Sequence, residues 1–410
     1  MKFEDAKKLL KEKNQEQLLK FYDELDDSQK ENLLTAIENI SWDFEEALAN
    51  PEDLSGAGRD IRPIAGLRVA DIEKRRDEFE KIGIQAIQQG KVAAVLLAGG
   101  MGTRLGLDGP KGSFNVGITK PLYIFEQQVR NLQEVTEKCG CSVPLCIMTS
   151  DKNHEPTVAF WKEHDYFGYP ENEIFFFKQE MAPAVDYNGK IILEKKDTPA
   201  LSPNGNGGWF GSLKRAGLCD LLKKRGVEWL NIYAVDNVLQ RIADPVFVGA
   251  TIATKVNCGA KVIMKTEPAE KVGVLCRDGD MPDIIEYYEL TDEMANQRDE
   301  NGDLAYCFGV ILNYLFSFEK LEEIADRKIP IHVVEKKIEY FDEVDGLTKK
   351  PEKENGRKFE TLAVDLIKPM EKVLPFEVVR EKEFAPIKNR TGVDSVDSAR
   401  ELLKGCGIEL

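Results

Sequence analysis

Histidine is scarce in this chain, with only His154, His164 and His332 among 410 residues. Cysteine is not rare, but its eight residues are scattered, and only Cys139, Cys141 and Cys146 fall close together. The three histidines lie elsewhere in the sequence, so the fourth ligand of a zinc site at usual spacing is missing and a histidine-based triad is unattractive. Dispersed cysteines of this kind read as reduced thiols rather than a disulfide framework. Long apolar runs are also missing: no segment approaches the roughly 18 consecutive apolar residues of a membrane helix. The opening Met1-Lys-Phe-Glu-Asp carries acidic residues where a secretory signal has none, so the expectation is a cytoplasmic protein without a membrane partner. Positive charge is in deficit as well. Lysine and arginine number 56 against 72 acidic residues, a net charge of −16. Without a long basic run, such a surface repels nucleic acid. Internal repeats and low-complexity tracts are absent too.

What remains is a globular composition, 42% apolar and 31% charged, in a chain long enough for two or three structural units. Residues 1–50 read as two amphipathic helices, with Leu9, Leu10, Leu18 and Leu19 on helical spacing and Ser28 and Glu31 as a capping box before Leu33, Leu34 and Ile37. Pro51, Gly56, Gly58, Pro63 and Gly66 mark a linker over residues 51–66. A charged helix over 69–89 leads into a regular alternation. Strands are expected at 92–98, 143–149 and 229–235, and helices at 121–138 and 213–225. That alternation predicts an α/β fold, a Rossmann-like and mostly parallel sheet with helices on both faces. Residues 337–361 form an excursion, with turns at Asp345-Gly346 and Asn355-Gly356.

Residues 97–112 stand out. The apolar run that starts at Val92 breaks into Leu-Ala-Gly-Gly-Met-Gly-Thr-Arg-Leu-Gly, followed by Pro110-Lys111-Gly112. Gly99, Gly100 and Gly102 let the backbone turn tightly and bring bare N–H groups against an anion. Arg104 and Lys111 add fixed positive charge where phosphates would lie. A dinucleotide fingerprint wants Gly or Ala at position 105, where Leu105 stands, and a Walker loop wants Ser or Thr after Lys111, where Gly112 stands. A merely structural glycine loop would have little use for two cations. Asp236, in Tyr233-Ala-Val-Asp236-Asn237, ends an apolar strand at the edge where ligands of parallel sheets sit; read alone, it is equally a strand-end cap or a metal ligand.

Leu-x-Gly-Gly-x-Gly-Thr-Arg-Leu-Gly with Pro-Lys-Gly just beyond resembles the signature of the UDP-sugar pyrophosphorylases, and within them the UDP-N-acetylglucosamine pyrophosphorylases. The likeness runs from Leu18-Leu-Lys-Phe-Tyr to Phe384-Ala-Pro-Ile-Lys-Asn. It implies a nucleotide-diphospho-sugar transferase fold with an N-terminal helical region over 1–90, a central nucleotidyltransferase domain over 91–336 and a closing part of the catalytic body over 337–410. The family's further C-terminal module has no counterpart before Leu410, so a monomer is expected. The implied reaction is attack by a sugar-1-phosphate on the α-phosphorus of UTP, yielding a UDP-sugar and pyrophosphate. Such transfers need positioning and charge neutralisation more than a protein nucleophile.

Carried over residue by residue, the resemblance assigns Arg104, Lys111 and Lys388 to the phosphates. Leu97, Ala98, Gly99, Gly100, Gly102 and Thr103 go to the nucleotide, as do Gly205 and Gln179, the last reading the uracil edge. Asn206, Glu286, Tyr287 and Lys358 go to the sugar side, and Asp236 to a magnesium cofactor. Three departures stand out: the first puts any role for position 204 in doubt, and the other two bear on the sugar. Asn204 stands where the family usually has Asp. Val310 follows Gly309 where the family has a sugar-binding Asn, and Leu362 and Val364 replace two Phe residues near the acetamido group. The sugar is therefore N-acetylglucosamine by overall likeness, with glucose or galactose as the alternative. A nucleotidyltransferase for another base and a non-catalytic nucleotide-sugar sensor complete the readings.

Overall fold

The computed structural model describes residues 1–49 and 59–410. The linker positions Pro51, Gly56 and Gly58 lie outside the described residues; of that stretch, Ile61–Pro63 is a short strand. The chain folds into two compact units, each assembled from separated segments. One comprises Met1–Asp53, Glu180–Gly208 and Ile329–Leu362; the other comprises Leu54–Gln179, Trp209–Lys328 and Ala363–Leu410.

In the first unit, helices Phe3–Glu12, Asp27–Glu38 and Phe44–Ala49 bury Leu10, Leu18, Leu33, Ile37 and Phe44 against Val185, Ile191 and Phe359. The expected single helix through Leu19 stops earlier. Asn14 takes a left-handed φ of 52°, which asparagine tolerates, and Leu18 and Leu19 fall in a separate 3-10 turn. The capping box also moves. Asp26 accepts from the Gln29 N–H at 2.9 Å, while the Gln29 side chain accepts from the Asp26 N–H at 3.0 Å. Ser28 therefore lies inside the first turn instead of capping it.

The second unit is built on a ten-stranded sheet. Its strands are β1 (Ile61–Pro63), β2 (Val92–Leu97), β3 (Leu145–Thr149), β4 (Ile174–Lys178), β5 (Trp229–Ala234), β6 (Cys258–Met264), β7 (Val274–Asp278), β8 (Met281–Ile285), β9 (Phe308–Ser317) and β10 (Val373–Glu377). The neighbouring strands β5, β2, β3 and β4 all run parallel. Every residue of β2 and β3 is buried, as expected of strands covered on both faces. β9 continues the sheet antiparallel to β5, with β6 and β7 antiparallel to it in turn. The expected mostly parallel α/β body is thus present, and its parallel part carries the glycine loop. Two expected helices are broken: the first at Arg75, between Val69–Lys74 and Arg76–Gln88. The second breaks at Gly217, whose φ of 72° separates Trp209–Arg215 from Leu218–Lys224. The 337–361 excursion contains a hairpin, Tyr340–Asp342 with Leu347–Lys349, turning at Gly346 with φ 73°.

Candidate active site

Strand register brings three of the candidate residues level. Leu97 pairs with Met148 and with Ala234, and Met148 pairs with Phe177. Gly99, Asp236 and Gln179 each lie two residues beyond those partners, at the carboxyl ends of β2, β5 and β4. This is the edge where open α/β sheets bind ligands. Gln179 is buried, and its backbone N–H donates to Thr149 O at 2.8 Å.

The loop after β2 is held by its own backbone. Gly102 N–H donates to Gly109 O at 2.8 Å, Leu107 N–H to Gly102 O at 3.1 Å and Lys111 N–H to Gly100 O at 3.1 Å. These bonds fold Pro110-Lys111 back beside Met101. Thr103, Arg104 and Leu105 form a 3-10 turn, and Gly106 ends it with φ 75°. Leu105 is buried while Thr103 and Arg104 are exposed, so the turn presents the guanidinium outward. Sequence reasoning missed Asn153, which is fully buried. Its Nδ2 donates to Ala98 O at 2.9 Å and Gly100 O at 3.2 Å, while its Oδ1 accepts from the Ser150 N–H at 2.8 Å. The Ser150-x-x-Asn153 spacing between β3 and the helix His154–Glu163 was the available signal.

Lys111, Asp236, Lys388 and Arg104 share one electrostatic field. Burial pushes the Lys111 ammonium below the ordinary lysine range; Asp236 opposes that shift, and Lys388 and Arg104 add to it. Lys388 is remote in sequence but is led to Asp236 by backbone bonds. Ile387 N–H donates to Asp236 O at 2.8 Å, and Asn237 bridges Pro386. The Lys388 ammonium pairs with Asp394 at 3.0 Å. The half-buried Asp236 carboxylate makes no hydrogen bond or salt bridge among the described residues.

Glu286 and Tyr287 leave the end of β8. Glu286 N–H donates to Glu289 Oε2 at 2.7 Å, and Glu289 is held in turn by Arg59 at 3.2 Å. Tyr287 is exposed, with Lys271 over its ring. Val310, on β9, adjoins this turn: a β-carbon on Gly273 would lie 3.4 Å from Val310 Cγ2 and 3.5 Å from Glu286 Oε1. Val364 is half-buried in a 3-10 turn over Ala363–Leu366.

The remaining candidates belong to the other unit. Residues 204–208 lie along the end of the strand Gly356–Glu360. Thr361 N–H donates to Asn204 O at 2.6 Å and Gly207 N–H to Thr361 O at 2.9 Å. Gly205 has φ 84°, and a β-carbon there would sit 2.1 Å from Thr361 O, so no other residue fits. Leu362 backs the same turn, its backbone N 2.7 Å from where a Gly207 β-carbon would be. Asn206 is half-buried. Lys358 pairs with Val334 in register, three residues before Thr361. Asn204 Nδ2 donates to Glu180 Oε2 at 3.0 Å, a bond that an ionised aspartate could not make.

Comparison with known proteins bears on the family. A family described as UTP--glucose-1-phosphate uridylyltransferase matches residues 56–400. The chain is similar to the mouse UDP-N-acetylhexosamine pyrophosphorylase-like protein 1, at 37% identity over 95% of this chain and 81% of the mouse protein. It is 34% identical to the UDP-N-acetylglucosamine pyrophosphorylase of Saccharomyces cerevisiae, over 95% of this chain and 86% of the yeast protein. Among solved structures, the uridine diphosphate N-acetylglucosamine pyrophosphorylase of Trypanosoma brucei superimposes with a TM-score of 0.82 at 27% identity, covering 96% of this chain and 82% of that one. A glycine loop with its cations at a parallel sheet edge, and likeness along nearly the whole chain, lead to one conclusion: this protein belongs to the UDP-sugar pyrophosphorylases, a family of nucleotidyltransferases.

Proposed function

We propose that this protein joins UTP to N-acetylglucosamine-1-phosphate, forming UDP-N-acetylglucosamine and releasing pyrophosphate. The observation that supports the reading is that Asp236, Lys388 and Arg104 all act on the buried Lys111 ammonium, with Asp236 on the same sheet edge as Gly99 and Gln179. Three cations match the charge that gathers on a triphosphate as its α–β bridge breaks. Lys111 and Arg104 hold the leaving pyrophosphate, Lys388 steadies the phosphate that attacks, and the Gln179 amide offers donor and acceptor together to the uracil edge. Leu97, Ala98, Gly99, Gly100, Gly102 and Thr103 supply the close backbone wall of the nucleotide. Glu286 and Tyr287 go to the sugar by the family resemblance, which also assigns Gly205 to the nucleotide and Asn206 and Lys358 to the sugar.

Magnesium fits the donor set. The described residues contain no cluster of three or more metal-ligating side chains, yet Asp236 offers one unpaired carboxylate among phosphate-binding groups. That suits a hard cation that takes one or two carboxylates and completes its shell with phosphate oxygen and water. Bound there, it would neutralise charge on the reacting phosphates.

The sugar assignment follows the names of the yeast and trypanosome relatives, and the mouse relative is named for the broader N-acetylhexosamine class. The glucose or galactose alternative raised by Val310, Leu362 and Val364 is not favoured by them. Pyrophosphate release measured with UTP and each of the three sugar-1-phosphates tests the reading. A strong preference for N-acetylglucosamine-1-phosphate is expected, whereas preference for glucose-1-phosphate would overturn the sugar, and no release with any sugar would overturn the reaction.

A further inference from the structure

We infer that Asn237 is a positioning residue, which sets Lys388 against Asp236 by clamping the segment 383–387. The inference rests on the proposed uridylyl transfer, because it needs Lys388 to act on phosphate. Asn237 directly follows Asp236 and is 2% exposed. Its Nδ2 donates to Glu383 O at 2.8 Å, and its Oδ1 accepts from the N–H of Ala385 at 2.9 Å and of Leu239 at 3.3 Å. The backbone continues the clamp, with Val238 N–H donating to Ala385 O at 3.3 Å and Ile387 N–H to Asp236 O at 2.8 Å.

Both sides of the clamp are anchored. Gln128 Nε2 donates to Ala234 O at 3.0 Å and Asn237 O at 3.1 Å, and Gln240 Nε2 donates to Ala234 O at 2.7 Å. Opposite them, Glu383 Oε2 accepts from the buried Lys261 ammonium at 2.5 Å. An amide carries donor and acceptor side by side, which suits Glu383 O and the Ala385 N–H two residues on. Aspartate at 237 keeps the acceptor but turns an oxygen toward Glu383 O, opening the clamp at its first bond.

A displacement of about 1 Å in a charged group at the reacting phosphates costs up to a hundredfold in rate. Asn237→Asp is therefore expected to lower kcat in pyrophosphorolysis by about tenfold to a hundredfold. Uridine binding at the Gly99 and Gln179 wall, measured by calorimetry with UMP, is expected to stay within about threefold. In a Lys388→Ala background the same substitution is expected to lose most of its effect, because the two act through one group. Asn237→Ser, whose shorter side chain does not reach Glu383 O and the Ala385 N–H as the amide does, serves if the aspartate variant fails to fold. Wild-type kcat in a folded Asn237 variant, or full additivity with Lys388→Ala, would overturn the inference. An inactive wild-type enzyme would instead overturn the proposed reaction.

Discussion

The side-chain amide of Gln179 fills the space that a β-carbon on Gly99 would need, with Nε2 only 2.7 Å from that position and the other amide atoms at 2.9 Å. The first glycine of the loop and the proposed uracil reader are thus fitted to each other. Glycine at 99 serves close approach rather than an unusual turn.

Gly99→Ala is expected to push the Gln179 amide aside without unfolding the sheet. Turnover with UTP should fall by about tenfold or more, and discrimination between UTP and other nucleoside triphosphates should narrow. Parallel pyrophosphate-release assays with UTP, dTTP and GTP measure both. Unchanged selectivity would remove Gln179 from base reading.

Lys111 is held at a disadvantage. Burial lowers its pKa, Asp236 opposes the shift, and Lys388 and Arg104 add to it. In the free enzyme its charge is lost at lower pH than an ordinary lysine's, so kcat/KM should decline early on the alkaline side. Lys111→Arg should move that decline to higher pH. Lys111→Met should cost about a hundredfold in rate while leaving Tm the same or raised by about 1–3 °C. A variant that is both active and less stable would contradict this account.

Asn204→Asp would set two carboxylates face to face across the present 3.0 Å bond to Glu180. Like charges raise the pKa of one of the pair in the folded state above its unfolded value. The variant's deficit is therefore full at neutral pH and shrinks as pH falls through that raised pKa and the group protonates. The expected cost is about 1–2 kcal/mol at pH 7, read from urea unfolding. A gap that is constant between pH 7 and pH 4.5 would count against it.

Lys261 is fully buried between Glu383 at 2.5 Å and Asp244 at 3.4 Å. Asp244 stays below the usual carboxylate range despite its burial, through Lys261 and Arg241, whereas burial raises Glu383. Lys261→Met strands these carboxylates and should cost about 3–5 kcal/mol. Denaturant midpoints would show it, and a loss under about 1 kcal/mol would mean that the network carries little of the stability.

Much of the site was legible because it is local. The run Val92–Leu97 followed by Gly99, Gly100 and Gly102 reads as strand and loop from apolar content and backbone freedom alone. Arg104 and Lys111 come with it. Turn chemistry was legible at Asp345-Gly346, where the hairpin forms. Boundaries were not. The Asp26 and Gln29 pair competes with Ser28 and Glu31 for the same helix start, and only hydrogen-bond geometry chooses between them. Asn14 and Arg75 break helices that periodicity joins, because a pattern of apolar residues does not register one residue's φ.

The chain order of residues was enough to lay out an acidic α/β protein with a glycine-rich loop and two cations after an apolar strand, since those properties depend on composition and nearest neighbours. Tertiary structure alone decided that Gly99, Gln179 and Asp236 stand level, because strand register is a matter of pairing across the sheet. It alone brought the segment 383–387 against Asp236 and Asn237, since the bonds that do so join residues about 150 positions apart. Local pattern specifies the groups; long-range hydrogen bonding fixes where their charges meet.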